Sequence, residues 1–497
     1  MKHPRTFVGL SAAAFALAAT VATVHFVAQA KDNALAIRVD SQPVNRTPSS
    51  GNSYAPIVKK IAPSVVNIYS SRTIKQQFLR TPQFNDPFFR QFEKSKRVNW
   101  LGSGIIVTAD GYILTASHVV EGADEIKVGI STNKTEYSAK IIGTDPATDI
   151  AVLKIDAQDL PALTLGDSSQ LEVGDAVLAI GNPFGLGQTV TRGIVSALGR
   201  SLPMQDDENP RHTTHYQDFI QTDAAINQGN SGGALVDAEG RLIGINDALI
   251  SPSGTSAGLG FAIPINMARG VMEDFINGGH VVRGYLGVKP QDLDAGLAKS
   301  FGVPNTSGAL VTYVEPGSPA EKAGLESGDV IITINDKEIS GADNFRATVA
   351  QLRPGSKADV TIVRNHAQKK LAVTLGELAG HDVPTATKPN HLADVPTRAD
   401  VLDGVRVHDL DSNFRYQLRV PLDIVGAVAT DVDDESNSGV AGLRPGDVIT
   451  EINRQPVADA EDAVRLGQAA RGEQILIKVW RPGGPRFLSV DNTRRLK

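Results

Sequence analysis

The chain has 497 residues, which is enough for three domains, and 41% of them are hydrophobic, so each domain can bury a core. Its formal net charge of −6 gives no reason to expect a nucleic-acid partner. The sequence contains no cysteine, which excludes disulfides and thiolate metal sites and is compatible with an exported protein.

The first 30 residues have the organisation of a secretory signal peptide. A basic start precedes an apolar run over residues 7–27, and an Ala-Gln-Ala cleavage signal follows at residues 28–30. We expect cleavage after Ala30, export to the periplasm and a flexible leader over residues 31–54. The run is also about long enough to span a bilayer. An uncleaved anchor is therefore the alternative, and only then would the protein contact a membrane.

A predicted β-hairpin precedes the first candidate catalytic residue. Two β-rich runs within residues 105–114 are joined by Asp110-Gly111, which is a strong hairpin signal. His118 follows just past the end of the second run. A lone histidine in this position is commonly a surface or packed residue, but histidine is also the most frequent general base.

A carboxylate that can orient this histidine comes next in the chain. Asp149 directly precedes the apolar run 150–155, a predicted strand that would bury it. A buried carboxylate beside a histidine holds the imidazole in the correct tautomer and stabilises its cation. Asp145 is the competing candidate, since either aspartate can cap a turn. We favour Asp149 because it adjoins the strand.

Ser231 lies among glycines in the sequence Gly-Asn-Ser-Gly-Gly at residues 229–233. A lone Gly-x-Ser-x-Gly also fits a glycine-rich turn, so its context decides. Strand, turn and strand are predicted after it, over residues 234–245. This context and the order His118, Asp149, Ser231 match a chymotrypsin-like double β-barrel and not the α/β-hydrolase fold.

Eight sequence blocks in this order resemble the protease domain of the HtrA/Deg family of serine proteases. The blocks are residues 62–68, 102–104, 115–118, 148–153, 179–183, 221–224, 229–233 and 260–264. The resemblance implies a trypsin-like protease domain over residues 55–275. Ser231 would be the nucleophile, His118 the general base and Asp149 its orienting partner. The backbone N–H groups of Gly229 and Ser231, shaped by Asn230, would form the oxyanion hole.

The same resemblance implies a polypeptide substrate. An extended chain would pair with the segment Asp247, Ala248, Leu249, Ile250 and Ser251. Leu259 and Phe261 would complete the wall of a small apolar pocket. Apolar residues at strand spacing equally fit ordinary barrel core, and this alternative stays open.

An aromatic segment, Asp-Pro-Phe-Phe-Arg-Gln-Phe at residues 86–92, lies in the long connection 72–100. A local aromatic core is one interpretation. In this family the corresponding loop reaches toward neighbouring subunits, and trimers are the usual building block. The resemblance therefore implies self-association as a trimer or a multiple of one.

An internal repeat follows the protease segment. The pattern Ala-Gly-Leu-x-x-Gly-Asp-Val-Ile occurs at residues 323–331 and again at 441–449, at an offset of 118 residues. It resembles a PDZ domain, and we predict two α+β PDZ domains over residues 281–379 and 401–492 with a linker over 380–400. The predicted fold is therefore mainly β: a double β-barrel followed by two PDZ domains.

PDZ domains bind extended chain ends by strand addition, and a loop of backbone N–H groups receives the terminal carboxylate. In the first copy this loop would be Tyr285, Leu286, Gly287 and Val288. The second copy has Asp403 at the matching place, where it would repel an incoming carboxylate. We predict that the first PDZ domain captures peptide and the second mainly assembles or regulates.

No metal or other cofactor is expected. The sequence has no His-Glu-x-x-His motif, and the acidic cluster at residues 431–435 lacks the glycine and the terminal glutamate of a calcium loop. The predicted function is an ATP-independent serine endopeptidase that degrades misfolded or damaged exported proteins, with PDZ domains that capture unfolded or C-terminal segments. A holdase or PDZ scaffold with little proteolysis is the alternative, and a lipid or ester hydrolase is disfavoured by the chain order.

Overall fold

The computed structural model describes residues 36–44, 53–75, 95–130, 135–182, 187–202, 216–227, 229–249, 258–378, 402–470 and 472–493. The predicted signal peptide, the aromatic segment 86–92 and the predicted linker 380–400 lie outside these residues, as do Ile250 and Ser251. Within the described ranges, no helix is long and apolar enough to cross a membrane.

Two closed antiparallel barrels of six strands each follow the first helix, α1 (Ala55–Ile61). The strands of the first barrel are β1 (Val65–Lys75), β2 (Ser95–Ile106), β3 (Tyr112–Ala116), β4 (Glu125–Ile130), β5 (Thr135–Asp145) and β6 (Ile150–Ile155). Those of the second are β7 (Ala176–Gly181), β8 (Thr189–Arg200), β9 (Phe219–Thr222), β10 (Ala234–Asp237), β11 (Leu242–Leu249) and β12 (Gly260–Pro264). The barrels close in the orders β1-β2-β3-β6-β5-β4 and β10-β11-β12-β9-β8-β7, so the predicted double barrel is confirmed.

Each barrel has its own apolar interior, and a third core joins the two. Strand β4 shows the underlying pattern, because alternate side chains along it are buried and the others face outward. The shared core combines first-barrel residues such as Leu114 with second-barrel residues such as Ile180 and Ile245, all fully buried. Burial of one such side chain stabilises the fold by roughly 1.5–3 kcal/mol. This core fixes the two barrels against each other, and the candidate site lies at their junction.

A 14-residue helix, α3 (Ile265–Gly278), leaves the second barrel and leads to the repeated domains. It is the third α-helix of the described residues, after the single turn α2 (Ser117–Val120). One face of α3 buries Val271, Met272 and Phe275 in the shared core. Gly279 ends the helix in a left-handed conformation with a φ of 74°, and its N–H donates to the Phe275 carbonyl at 3.0 Å.

Two similar α+β units follow. The elements of the first are β13 (Gly284–Tyr285), β14 (Val288–Gln291), α4 (Ala295–Phe301), β15 (Ala309–Val314), α5 (Pro319–Lys322), β16 (Val330–Ile334), β17 (Lys337–Glu338), α6 (Ala342–Gln351), β18 (Lys357–Arg364), β19 (Ala367–Thr374) and β20 (Gly376–Glu377). Those of the second are β21 (Val405–Asp409), α7 (Ser412–Gln417), β22 (Ala427–Val432), α8 (Asn437–Val440), β23 (Val448–Ile452), β24 (Gln455–Pro456), α9 (Ala460–Ala469), β25 (Gln474–Arg481) and β26 (Gly484–Asp491).

The two units share one topology. Their main sheets run in the orders β14-β15-β16-β18-β19 and β21-β22-β23-β25-β26, each with a short strand paired to its third member. The offset seen in the sequence recurs in space, since β15, α5, β16 and α6 have counterparts that begin 118 residues later. Even the left-handed turn at Asn335-Asp336 reappears at Asn453-Arg454. The predicted internal repeat is confirmed.

Candidate active site

The register of one strand pair brings His118 to Asp149. Strand β3 pairs with β6 so that Ala116 lies opposite Ile150. His118 lies in α2, just after β3, and Asp149 lies just before β6. The Ser117 N–H donates to the Asp149 carbonyl at 2.9 Å, which ties the two chain segments together. Residues 31 positions apart in sequence therefore become direct neighbours.

The Asp149 carboxylate holds His118 at two points. Its Oδ2 lies 2.6 Å from His118 Nδ1, and its Oδ1 accepts the His118 backbone N–H at 2.8 Å. Asp149 is only 8% exposed and has a φ of 56°, a left-handed conformation that aspartate tolerates better than most residues. This bond fixes the ring, with Nε2 as the nitrogen left for a substrate-side partner.

The competing candidate, Asp145, faces elsewhere. Its Oδ2 accepts hydrogen bonds from Thr148 Oγ1 and from Arg283 Nη2, both at 2.5 Å. Arg283 lies beyond α3, and its guanidinium also stacks 4.6 Å from the Tyr216 ring centre. Asp145 thus contacts the segment that leads to the first repeated unit, whereas Asp149 contacts the imidazole.

A second carboxyl group, which the sequence analysis did not place here, lies beside this pair. Asp247 Oδ1 is 3.8 Å from His118 Nδ1, and the side chain is only 7% exposed. The pairing of β11 with β12 shifts register between Asn246 and Leu249, so Asp247 has no partner on β12. The available signal was an acidic residue within the strand Leu242–Leu249, which is buried over residues 242–247, directly after Asn246.

The three groups influence one another's protonation. For His118, burial alone would lower the pKa, but the hydrogen bond and charge of Asp149 and the charges of Asp247 and Glu121 raise it to about 9. For Asp149, burial would raise the pKa, yet the hydrogen bond and charge of His118 bring it below its usual value. Burial, and then the charge of Asp149, raise the pKa of Asp247 well above its usual value. Asp247 therefore holds its proton more tightly than Asp149 does.

This cluster is the one group of histidine and acidic side chains in the described ranges that is close enough to hold a cation, with ligand atoms within 4.8 Å of one another. Two ligands bound at about 2.1 Å to one ion lie more than 3 Å apart. The 2.6 Å separation of His118 Nδ1 and Asp149 Oδ2 is instead the length of a charge-assisted hydrogen bond. We therefore describe the cluster as a hydrogen-bonded one.

Ser231 reaches the same cluster from the second barrel. Its Oγ donates to the backbone carbonyl of Asp247 at 3.0 Å. The flanking glycines are required by the backbone, because Gly229 and Gly232 have φ angles of 97° and 79°. A Cβ on Gly232 would lie 2.2 Å from Thr115 Oγ1 of the first barrel. The motif thus allows the two barrels to approach each other closely at the serine.

Ser103 of the first barrel fixes the backbone around Ser231. Its Oγ donates to the Gly229 carbonyl at 2.7 Å and accepts the Asn182 N–H at 2.9 Å. Its own N–H donates to the Ser231 carbonyl at 2.9 Å. With both carbonyls held, the N–H groups of Gly229 and Ser231 donate to no acceptor in the part of the chain that the structure describes. Asn230, between them, is 1% exposed. In the sequence, Ser103 stands out only as part of a matching block, and its pattern predicts no role.

The predicted substrate-binding segment is described only in part. Ala248 and Leu249 end β11, while Ile250 and Ser251 lie outside the described residues. Phe261 is 4% exposed and packs edge-on against Phe219, with ring centres 6.1 Å apart, in the shared core. Leu259 is 39% exposed. Phe261 is therefore a core residue, and a pocket wall formed by this segment stays a prediction.

The predicted carboxylate loop of the first repeated unit lines a cavity of about 1340 Å³. Tyr285, Leu286, Gly287 and Val288 all border it, opposite Phe345 and Val349 of α6. In the second unit, the Asp403 carboxylate accepts the Asn437 N–H at the start of α8, at 3.0 Å. Part of its charge is thus directed to that helix, which weakens the predicted repulsion without removing it.

Comparisons with known proteins agree with this architecture. Residues 102–245 match the model of a trypsin-like peptidase domain, and residues 284–375 and 428–481 match models of PDZ domains. A probable periplasmic serine endoprotease, DegP-like, from Pseudomonas fulva is 39% identical over 459 residues, which cover 88% of this chain and 92% of the relative. A protein of the same description from Chlamydia trachomatis is 38% identical over 457 residues, 88% of each chain. The chain belongs to the HtrA/Deg family of serine proteases.

Solved structures place this HtrA/Deg chain beside enzymes with bound peptide. HtrA-type protease AlgW with decapeptide is 46% identical, with 66% of this chain and 100% of that chain covered and a TM-score of 0.50. The same protease with tripeptide is 45% identical over 66% of this chain and 98% of that one, also with a TM-score of 0.50. This chain is a serine endopeptidase with two PDZ domains, and serine endopeptidase activity is favoured over the scaffold alternative.

Proposed function

We propose that this HtrA/Deg endopeptidase degrades misfolded or damaged exported polypeptides without ATP, using His118, Asp149 and Ser231. The observation that carries the proposal is the 2.6 Å bond between His118 Nδ1 and Asp149 Oδ2, with Ser231 on the facing barrel bonded to the carbonyl of the adjoining Asp247. Three groups of the required types thus meet at one junction, although they are far apart in sequence.

In the proposed mechanism, Ser231 Oγ attacks the peptide carbonyl carbon while His118 Nε2 takes its proton. In the structure the hydroxyl donates to the Asp247 carbonyl, so a rotation about the Ser231 Cα–Cβ bond precedes this transfer. The N–H groups of Gly229 and Ser231 then stabilise the oxyanion, at about 3 kcal/mol per donor. His118 returns the proton to the leaving amine. A water molecule then attacks the acyl carbon while His118 takes one of its protons, and this proton passes to Ser231 Oγ as the acyl chain leaves.

The proposed substrate class predicts a strong preference for unfolded chains, because strand pairing beside Ser231 requires an extended segment, which a folded domain does not offer. A reduced and alkylated protein should be cleaved at least about 10-fold faster than its native, disulfide-bonded form, with no effect of added ATP. Gel-based degradation kinetics of the two forms measure this difference. Equal cleavage rates, or a requirement for ATP, would contradict the proposal.

We further propose that the first PDZ domain captures chain ends in the cavity beside β14. In the described residues β14 pairs with β15 alone, and a strand added at its other edge would lie against α6. Lys289 and Gln291 of β14 also donate to the carbonyls of Gly483 and Phe487, so the second domain lies beside this strand. Lys289, Arg346 and Arg486 border the cavity and would attract a terminal carboxylate. Gly287, with a φ of 83°, gives the loop a backbone conformation suited to present its N–H groups.

A matched pair of glycine variants tests this assignment. A Cβ at Gly287 would lie 2.3 Å from Ser318 Cβ, and one at Gly404 of the second domain 2.5 Å from Ser436 Cβ. In the full chain, Gly287→Ala should weaken binding of an apolar C-terminal peptide by about 10- to 100-fold, since charge-assisted hydrogen bonds to the carboxylate are lost. Gly404→Ala should leave it unchanged.

Fluorescence anisotropy with a labelled peptide measures both affinities, and an amidated peptide serves as the ligand control. A larger loss in the Gly404→Ala protein would reverse the assignment of the two domains. Equal binding of the free-acid and amidated peptides would rule out carboxylate capture.

Location and assembly complete the proposal. We infer residence in the periplasm after removal of residues 1–30, supported by the signal-like sequence and by the names of the relatives. We also infer a trimer or a multiple of one. The division into residues 55–275, 281–379 and 401–492 is kept, supported by the ends of α3 at Gly278 and of β20 at Glu377.

A further inference from the structure

One buried acid has no part in the mechanism described so far. Asp247 adjoins all three proposed catalytic groups. Its carboxyl lies within 4.8 Å of the Asp149 carboxylate and 3.8 Å from His118 Nδ1, and its carbonyl accepts the Ser231 hydroxyl. Since the β11–β12 ladder is interrupted at this residue, the strand turns the side chain toward the cluster and leaves the carbonyl for Ser231.

Burial and the charge of Asp149 favour the neutral form of Asp247, and the charge of His118 opposes them. In the described ranges, the titratable groups that face it are Asp149 and His118, and Glu121 adds a further acidic charge near His118. Asp149 already receives two hydrogen bonds from His118, through the backbone N–H and Nδ1. Asp247 forms no ion pair with a lysine or arginine in those ranges. When two buried carboxyls adjoin, one keeps a proton, and it is the one with fewer donors.

We propose that Asp247 is a positioning residue that works as a neutral acid, donating its carboxyl proton to Asp149 and so holding that carboxylate against His118. The inference rests on the proposed triad. It adds Asp247 to the triad as a fourth group, whose proton is needed to hold Asp149 against His118. It also gives the interruption of the β11–β12 ladder a function.

The proton on Asp247 also matters for the base. His118 must be neutral to accept the Ser231 proton, yet the surrounding carboxylates raise its pKa to about 9. Asp247 is one of the charges responsible. A neutral Asp247 removes that contribution, which lowers the pKa of His118 and leaves more free base at neutral pH.

Two variants of the full-length protein separate the possible roles. Asp247→Asn keeps the size, the neutrality and a donor, whereas Asp247→Leu keeps the size and removes the donor. With a fluorogenic peptide, Asp247→Asn should retain kcat within about 3-fold, and the acidic limb of its kcat/KM profile should stay at the wild-type pH. Asp247→Leu should lower kcat by about 10- to 100-fold with little change in KM, as loss of an orienting partner does.

Three results would contradict the proposed role of Asp247. An acidic limb shifted to lower pH by about one unit in Asp247→Asn would show that Asp247 is ionised in the wild type, and would overturn the proposal. So would an undiminished kcat in Asp247→Leu. If Asp247→Leu does not fold, as judged by circular dichroism, the pH profile of Asp247→Asn decides alone. Activity that is lost with a chelator and restored by a divalent cation would show that a bound ion, and not a proton, joins Asp247 to Asp149, and would contradict the proposal.

Failure of this inference is distinguishable from failure of the triad. An active Ser231→Ala protein would remove the proposed mechanism itself. If Ser231→Ala is inactive and the Asp247 variants behave contrary to expectation, only the role of Asp247 is lost.

Discussion

Replacement of Ser231 by alanine is expected to reduce kcat for an unfolded polypeptide by on the order of 10⁶-fold, the scale seen when the nucleophile of a serine protease is removed. The reason is chemical, because alanine has no hydroxyl to attack the peptide carbonyl. The fold should persist, since within the described ranges the Ser231 hydroxyl makes a single hydrogen bond, to the Asp247 carbonyl. Single-turnover degradation assays at high enzyme concentration measure the residual rate.

The exposed Ser307, in the first PDZ domain, provides the matched control. Ser307→Ala loses the same hydroxyl far from the barrels and should degrade the substrate at the wild-type rate. Degradation by Ser231→Ala at a rate near the wild type would refute the assignment of the nucleophile. If neither Ser231→Ala nor the wild type degrades the substrate but both suppress its aggregation, the holdase alternative would be correct.

The parts of the site that depend on local sequence were predictable. Asp110-Gly111 predicted the hairpin that ends before His118, and the glycines around Ser231 predicted a close backbone approach. The sequence indicated that glycine is needed there but not which atoms exclude a larger residue. The atom that a Cβ on Gly232 would approach, at 2.2 Å, is Thr115 Oγ1 of the other barrel. Such a contact depends on how two barrels pack, which no local pattern specifies.

Two features of the site escaped prediction for the same physical reason. Ser103 links the barrels through hydrogen bonds to residues 126 and 128 positions away, Gly229 and Ser231. Asp247 enters the cluster because β11 shifts register, and a one-residue change in register turns a side chain to the opposite face of a strand. An acidic residue in the strand Leu242–Leu249 marks the position as unusual, but the sequence does not specify the shift in register.

The repeated domains were more predictable. Their offset of 118 residues applies to strands, helices and even the left-handed turns, so a pattern of nine residues located each whole unit. The functional difference between the copies was harder to predict. The Asp403 carboxylate accepts the N–H of Asn437, so only part of its charge is left to repel a peptide carboxylate.

Replacement of Asp149 by asparagine is expected to lower kcat by about 10⁴-fold at neutral pH. An asparagine amide can donate to His118 Nδ1, which favours the tautomer with the proton on Nε2. That nitrogen then cannot accept the Ser231 proton. The amide also lacks the charge that stabilises the imidazolium formed in the reaction. KM should change little, because the Asp149 side chain is only 11% exposed and offers little surface to substrate.

Asp145 makes this test specific, since it is four residues away and equally buried at 6% exposure. Asp145→Asn retains an acceptor for Thr148 and Arg283 and should keep kcat within about 3-fold of the wild type, with its cost confined to stability. Steady-state kinetics of the two variants under one set of conditions compare them directly. A large loss in Asp145→Asn with a small one in Asp149→Asn would exchange their roles. Asp145 and Asp149 are both buried acids in the same turn. The two variants should differ in kcat because the β3–β6 register places the Asp149 carboxylate, and not that of Asp145, against the imidazole.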